Sequence, residues 1–186
     1  SDAEAQAIAE MIMKPFLCAC EAENILFRGL LYPGIIVTKY GPIVIEFNVR
    51  FGDPETQVIV PRLKTDLAEL LYATASGKLA EVSLEVYEDR TTVCVVVSAP
   101  GYPESPKLGK KIAGLEALQA VPGLKVFYAG VRHDGSDLVT AGGRVLGVTA
   151  RSRDLSFARR SAYEATREIT IEGGSHMRDD IGSFGA

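Results

Sequence analysis

The stretch IVIEFNVRFGDPETQ, residues 43–57, decides how this chain is read. Its first half alternates apolar and polar residues, the two-residue period of a strand. Ile43, Ile45, Phe47 and Val49 fall on one face, which is expected to be core. Val44, Glu46, Asn48 and Arg50 fall on the other. That second face carries a carboxylate, a carboxamide and a guanidinium, each two residues from the next. Glutamate and asparagine offer the oxygen donors that Mg²⁺ takes, and a guanidinium forks onto phosphate oxygens. Gly52 then breaks the strand, and Asp53-Pro54-Glu55 adds two carboxylates beside the same place. Spacing alone leaves two readings open. One is a solvated face whose ion pairs contribute little. The other is a platform for a metal and a nucleotide, and the carboxylate-rich turn is more than a hairpin requires.

Immediately upstream, residues 29–39 are strand-like, with Pro33-Gly34 as a local irregularity, and Lys39-Tyr40-Gly41-Pro42 supplies turn chemistry. Residues 30–50 are therefore expected to form an antiparallel hairpin, a rigid support suited to a metal platform. Residues 1–13 read as a helix: Ser1 and Glu4 have capping-box spacing, Ile8, Met11 and Ile12 make an apolar stripe, and Pro15 is expected to end it. A helix that starts almost at residue 1 suggests a chain that begins at a cut. Residues 16–27 are expected to be irregular, with Cys18 and Cys20 as two ordinary thiols rather than a soft-metal pair. Downstream, residues 58–63 lead into a second helix. Thr65 is its expected N-cap, Asp66 favours its positive end, and Leu67, Leu70, Leu71 and Thr74 form its stripe. Gly77 stops it.

Beyond this helix the texture changes. Residues 82–87, 91–99, 125–130, 138–140 and 144–150 are strand-like, separated by Gly/Pro-rich turns. A helix over 154–168, capped by Asp154, and a short strand over 169–172 follow. The class is α+β, with a domain boundary expected near residues 76–80. Ala141-Gly142-Gly143-Arg144 has two readings: backbone that approaches a ligand closely with an arginine for a phosphate, or a glycine turn with a surface arginine. Arg178-Asp179-Asp180 reads as a solvated charge cluster.

Composition narrows the function. With 186 residues, 47% hydrophobic and 24% charged, the chain can bury a core as one domain or two small ones. A net charge of −4 gives no footprint for nucleic acid or an anionic membrane. No apolar run approaches the ~18 residues that span a bilayer. Cys18, Cys20 and Cys94 are odd in number and lack zinc spacing, as in a reduced, cytoplasmic protein. His133 and His176 read as loop residues. No serine, cysteine or histidine nucleophile with a partner base can be assembled, and no P-loop is present. Metal-assisted phosphoryl transfer remains, with Glu46 and Asn48 holding Mg²⁺ between nucleotide phosphates and Arg50 neutralising the moving phosphoryl group.

The run EFNVRFGDPETQ also resembles the signature of the phosphoribosylamine–glycine ligase (glycinamide ribonucleotide synthetase) family of ATP-grasp enzymes. GLLYPGIIVTKYGP upstream, and PRLKTDLAELL, SAPGYP, KVFYAG, GGRVLGVTA and RDDIG downstream, fall in that family's order. The resemblance implies an α+β fold. Residues 1–78 would be the C-terminal part of an ATP-grasp unit, an antiparallel sheet with helices. Residues 79–186 would be a smaller, mostly β domain with a closing helix. It further implies ATP with Mg²⁺ or Mn²⁺, and glycine and 5-phosphoribosylamine as substrates. Glycine would be activated as an acyl phosphate, then attacked by the amine, in de novo purine synthesis. Arg50 would serve nucleotide and catalysis, while Asp53, Glu55 and Arg144 would line the acceptor site. The family's N-terminal domain and first ATP-grasp part have no counterpart here, so they become the implied partner, and the isolated chain is expected to be inactive. Tyr128 stands where many members have histidine, and residues 16–25 are unusual. Two alternatives stay open: another ATP-grasp ligase or carboxylase with a different acceptor, or a non-catalytic piece acting in assembly.

Overall fold

The computed structural model describes residues 2–183. Ser1, half of the expected capping box, lies outside them. In chain order the elements begin with helix α1 (Asp2–Ala22), strands β1 (Tyr32–Thr38) and β2 (Gly41–Asn48), short helix α2 (Thr56–Ile59) and helix α3 (Leu67–Ser76). Strands β3 (Thr91–Ser98), β4 (Lys111–Ala113), β5 (Leu124–Tyr128), β6 (Val131–Asp134), β7 (Asp137–Thr140) and β8 (Arg144–Ser152) follow. Helix α4 (Leu155–Glu168) and strand β9 (Thr170–Ile171) close the series. These elements form two compact units, one of residues up to 52 with 65–84, the other of 53–64 with 85 onward. The class is α+β, as expected.

In the first unit, β1 and β2 pair antiparallel, and a register shift between Gly34 and Ile35 marks the irregularity foreseen at Pro33-Gly34. Thr38 closes the turn: its hydroxyl accepts from the Tyr40 amide and donates to the Gly41 carbonyl, each at 3.0 Å. Three expectations fail here. First, α1 runs through Pro15 to Ala22 instead of ending there. An internal proline costs a helix about 3 kcal/mol. The next residue, Phe16, offsets this by packing edge-on to Phe27 at 5.6 Å and against Phe47 at 4.8 Å. Second, the face of Ile43, Ile45, Phe47 and Val49 is exposed, with Ile45 at 69% and Val49 at 65%. Alternation correctly separates the two faces, but the contact of Phe16 with Phe47 leaves Ile43, Ile45 and Val49 of this one exposed. Third, Asp66 rather than Thr65 caps α3. Its extended backbone lets the carboxylate accept from Ala68 and Glu69 at 2.7 and 3.1 Å. Thr65 donates its hydroxyl to the Ser83 carbonyl instead. Gly77 ends α3 in the left-handed region, φ 74°.

The second unit is built on a three-stranded antiparallel sheet, β3-β8-β5, and a four-stranded one, β6-β7-β4-β9. Val95 faces Val148 across β3 and β8, and Val93, Val97, Val145 and Leu146 complete the buried rows. Helix α4 meets this sheet through Ala158, Ala162 and Ala165, small enough for close approach. Asp154 caps it, accepting from Ser156 and Phe157. The hydrogen bond from the Ser156 hydroxyl is the main reason its carboxyl sits below the ordinary range. Residues 82–87, expected as a strand, make one bridge, Leu63 to Val86, flanked by amides of Lys64 and Tyr87. Their backbone meets only the short irregular stretch 62–64 and the Thr65 hydroxyl among the described residues outside 79–87, so no ladder develops. Strands β4 and β6 were not anticipated, being three and four residues long.

Candidate active site

The structure divides the site residues between the two units: Glu46, Asn48 and Arg50 belong to the first, Asp53, Glu55 and Arg144 to the second. On β2, Glu46 and Asn48 share the face that alternation assigns them. The Asn48 amide Nδ2 donates to Glu46 Oε1 at 2.9 Å, which leaves Glu46 Oε2 and Asn48 Oδ1 for other partners. A carboxylate oxygen and a carboxamide oxygen on one strand face suit Mg²⁺, which takes one or two protein ligands and completes its shell with phosphate oxygens and water. Among the described residues there is no group of three or more His, Cys, Asp or Glu, the usual make-up of an all-protein metal cage. Gly34 lies directly across from Glu46 in the register, and a Cβ placed there would stand 3.2 Å from Glu46 Cγ. The missing side chain makes room for the carboxylate.

Arg50 falls just past the end of β2, in a bend. Its guanidinium donates to the Phe51 carbonyl at 3.0 Å and pairs with no carboxylate among the described residues. The charge stays available.

Three residues on, the Asp53-Pro54-Glu55 turn opens α2. Asp53 is grasped from two sides. Arg144, the first residue of β8, donates Nη1 to the Asp53 main-chain carbonyl at 2.8 Å and places Nη2 3.3 Å from Oδ2. Gln57, one helical turn on, donates Nε2 to Oδ1 at 3.0 Å. Helix α2 is itself tied to the sheet: the Thr149 hydroxyl donates to the Gln57 carbonyl, the Thr92 hydroxyl to that of Val58. Gly147 on β8 leaves space there, since a Cβ would lie 3.2 Å from Cys94 Sγ. Burial pushes the Cys94 thiol upward, the Asp53 charge adds to that, and a hydrogen bond with Thr149 opposes it. The glycines before Arg144 serve packing: Gly142 approaches Gly130 backbone to backbone, and Gly143 lies under the Tyr102 ring. His133 and His176 are both in or beside short strand pairings, His176 bridging Ser98. Cys18 and Cys20 sit two apart on α1, where residues do not share a face, and Cys18 is exposed. Sequence reasoning passed over Gly34 and Gln57. The register opposite Glu46 and the four-residue spacing from Asp53 were the available signals.

The α+β fold, with its carboxylate–carboxamide pair on an antiparallel hairpin, falls in the ATP-grasp class. Residues 1–56 match the family model "Phosphoribosylglycinamide synthetase, ATP-grasp (A) domain" and residues 92–184 its C domain. The chain belongs to the phosphoribosylglycinamide synthetase family. It is 44% identical over 172 residues to the phosphoribosylamine–glycine ligase of Caldanaerobacter subterraneus subsp. tengcongensis, covering 92% of this chain and 40% of the relative. It is 45% identical over 179 residues to the chloroplastic one of Arabidopsis thaliana, covering 94% and 33%. The crystal structure of phosphoribosylamine–glycine ligase from Thermotoga maritima superposes with a TM-score of 0.74 at 34% identity, over 88% of this chain and 39% of that one. The chain thus spans about two fifths or less of the length of these relatives. No helix among the described residues is long and apolar enough to cross a membrane.

Proposed function

We propose that this chain supplies the metal-binding hairpin and the closing domain of a cytoplasmic, ATP-dependent ligase that joins glycine to 5-phosphoribosylamine, forming glycinamide ribonucleotide in purine synthesis. In this reading residues 1–78 are the end of the catalytic unit and residues 79–186 the closing domain. The observation that carries it is the Glu46–Asn48 pair, held together at 2.9 Å with an oxygen of each left over. Bound there, Mg²⁺ (or Mn²⁺) would neutralise the β- and γ-phosphates of ATP and align the γ-phosphoryl group for transfer. Glu46 supplies the charge of that seat and Asn48 the neutral oxygen. Arg50 contributes a fixed positive group for the charge that spreads over the phosphoryl oxygens as glycine's carboxylate is activated to glycyl phosphate. The turn of Asp53 and Glu55, with Arg144 behind it, meets the acceptor side. The adenine pocket and a phosphate lysine come from the remainder of the enzyme.

The full-length ligase carrying Glu46→Gln tests this. The amide keeps the size and removes the charge, and the face is not core, so folding survives. The concentration of Mg²⁺ giving half-maximal product formation should rise at least about tenfold, the equivalent of roughly 1.4 kcal/mol. An unchanged Mg²⁺ titration would return the pair to an ordinary solvated face.

A further inference from the structure

We propose that the two carboxylates of the Asp53-Pro54-Glu55 turn have different tasks. Asp53 is a positioning residue locked by Arg144 and Gln57, and Glu55 receives the ammonium group of the amino-acid substrate. The proposal rests on the ligase reading and assigns roles within it.

All three acceptors of Asp53 are in use. Arg144 takes the main-chain oxygen and Oδ2, and Gln57 takes Oδ1. Asp53 is thus held from within its own unit at each carboxylate oxygen and at its main-chain carbonyl. Arg144 correspondingly directs both terminal nitrogens at Asp53. The Gln57 amide shows how strongly this arrangement is specified. Its Oε1 is buried with no hydrogen-bond partner among the described residues. A buried acceptor without a donor is costly. Turning the amide over would set its oxygen against the Asp53 carboxylate, so Asp53 dictates the orientation in spite of that cost. Glu55 is the opposite case. Its main-chain carbonyl accepts from Val58 and Ile59 as α2 begins, and its half-buried carboxylate has no partner among the described residues. An ionised carboxylate only accepts, and its strongest partner is a cation that also donates. The α-ammonium of glycine is such a group, and the clamp on Asp53 fixes where Glu55 presents its charge.

Kinetics of the full-length ligase separate the roles. Glu55→Gln should raise KM for glycine at least about tenfold and leave KM for phosphoribosylamine within about twofold. Asp53→Asn and Arg144→Gln should each lower kcat/KM about tenfold, and the double variant should be no worse than either, because both remove one clamp. Arg144→Lys should recover part of the loss. An additive double variant, about a hundredfold down, would mean that Arg144 meets substrate directly and would overturn the positioning role. A rise in KM for phosphoribosylamine alone in Glu55→Gln would overturn the ammonium assignment. Backbone amide exchange over residues 53–57 needs no turnover, and so separates failure of the clamp from failure of the ligase reading. Faster exchange in both Arg144→Gln and Asp53→Asn supports the clamp, and unchanged exchange overturns it.

Discussion

Glu46 keeps its place because Gly34 has none of its own to fill, and this pairing makes a sharp expectation at the level of single residues. Gly34 lies outside the left-handed region, so alanine is conformationally admissible there. Its Cβ would crowd Glu46 Cγ at 3.2 Å. Gly34→Ala should therefore leave the thermal midpoint nearly unchanged while raising the Mg²⁺ requirement of the full-length ligase about three- to tenfold, a smaller effect than loss of the charge at Glu46. A Mg²⁺ titration beside a melting curve checks it. Arg50 poses a different question. Its one hydrogen bond is to its neighbour's carbonyl, and no carboxylate neutralises it among the described residues. If its work is in phosphoryl transfer, Arg50→Ala should lower kcat on the order of 10²–10³ and weaken nucleotide binding much less. Arg50→Lys should restore only part, for want of the planar fork. Turnover within threefold of wild type in steady-state assays would leave Arg50 as a surface charge.

Elements show what a single sequence makes legible. Alternation along residues 43–50 placed Glu46 and Asn48 on one face correctly, because the two-residue period of a strand is indifferent to its surroundings. The same alternation named the apolar face as core, which failed, since burial depends on a neighbouring layer and not on the strand. Helix α4 and its Asp154 cap were readable because capping is local chemistry. The clamp on Asp53 was not, because Arg144 is 91 residues away and only the fold brings β8 to the turn. Helix α1 failed for a related reason: Pro15 is a local stop signal, and the contacts that override it come from Phe27 and Phe47. That account can be tested. Phe16→Ala removes the packing and leaves the proline, so the turn after Pro15 should fray. Amide protection over residues 16–22 should fall, with a loss of about 1–3 kcal/mol in overall stability. Undiminished protection would mean that something other than the aromatic cluster carries the helix past Pro15.

At the scale of the whole chain, the exposed hairpin and the proposed nucleotide site belong to one question. Ile36 faces Ile43 across the β1–β2 ladder, and with Ile45 and Val49 they leave apolar side chains in water beside the Phe16–Phe47 contact. A two-stranded hairpin is marginal in isolation, and a contiguous apolar face marks a surface that another layer covers. On the opposite face, in the proposed reading, Glu46, Asn48 and Arg50 would grip a nucleotide from one side only. The relatives supply the scale of what is involved: the match to this chain covers 40% of the Caldanaerobacter ligase. These 186 residues on their own should therefore bind a hydrophobic dye, self-associate in a concentration-dependent way, and form no glycinamide ribonucleotide from ATP, glycine and phosphoribosylamine. Ile45→Glu should suppress the association without restoring turnover, because it treats the bare face and adds nothing to the nucleotide site. Light scattering and a product assay read the two halves separately. A monodisperse wild-type chain would show that the face is tolerated in water. Measurable product would be the deeper refutation, for it would mean that the adenine pocket and the phosphate-holding cation are already present within these residues.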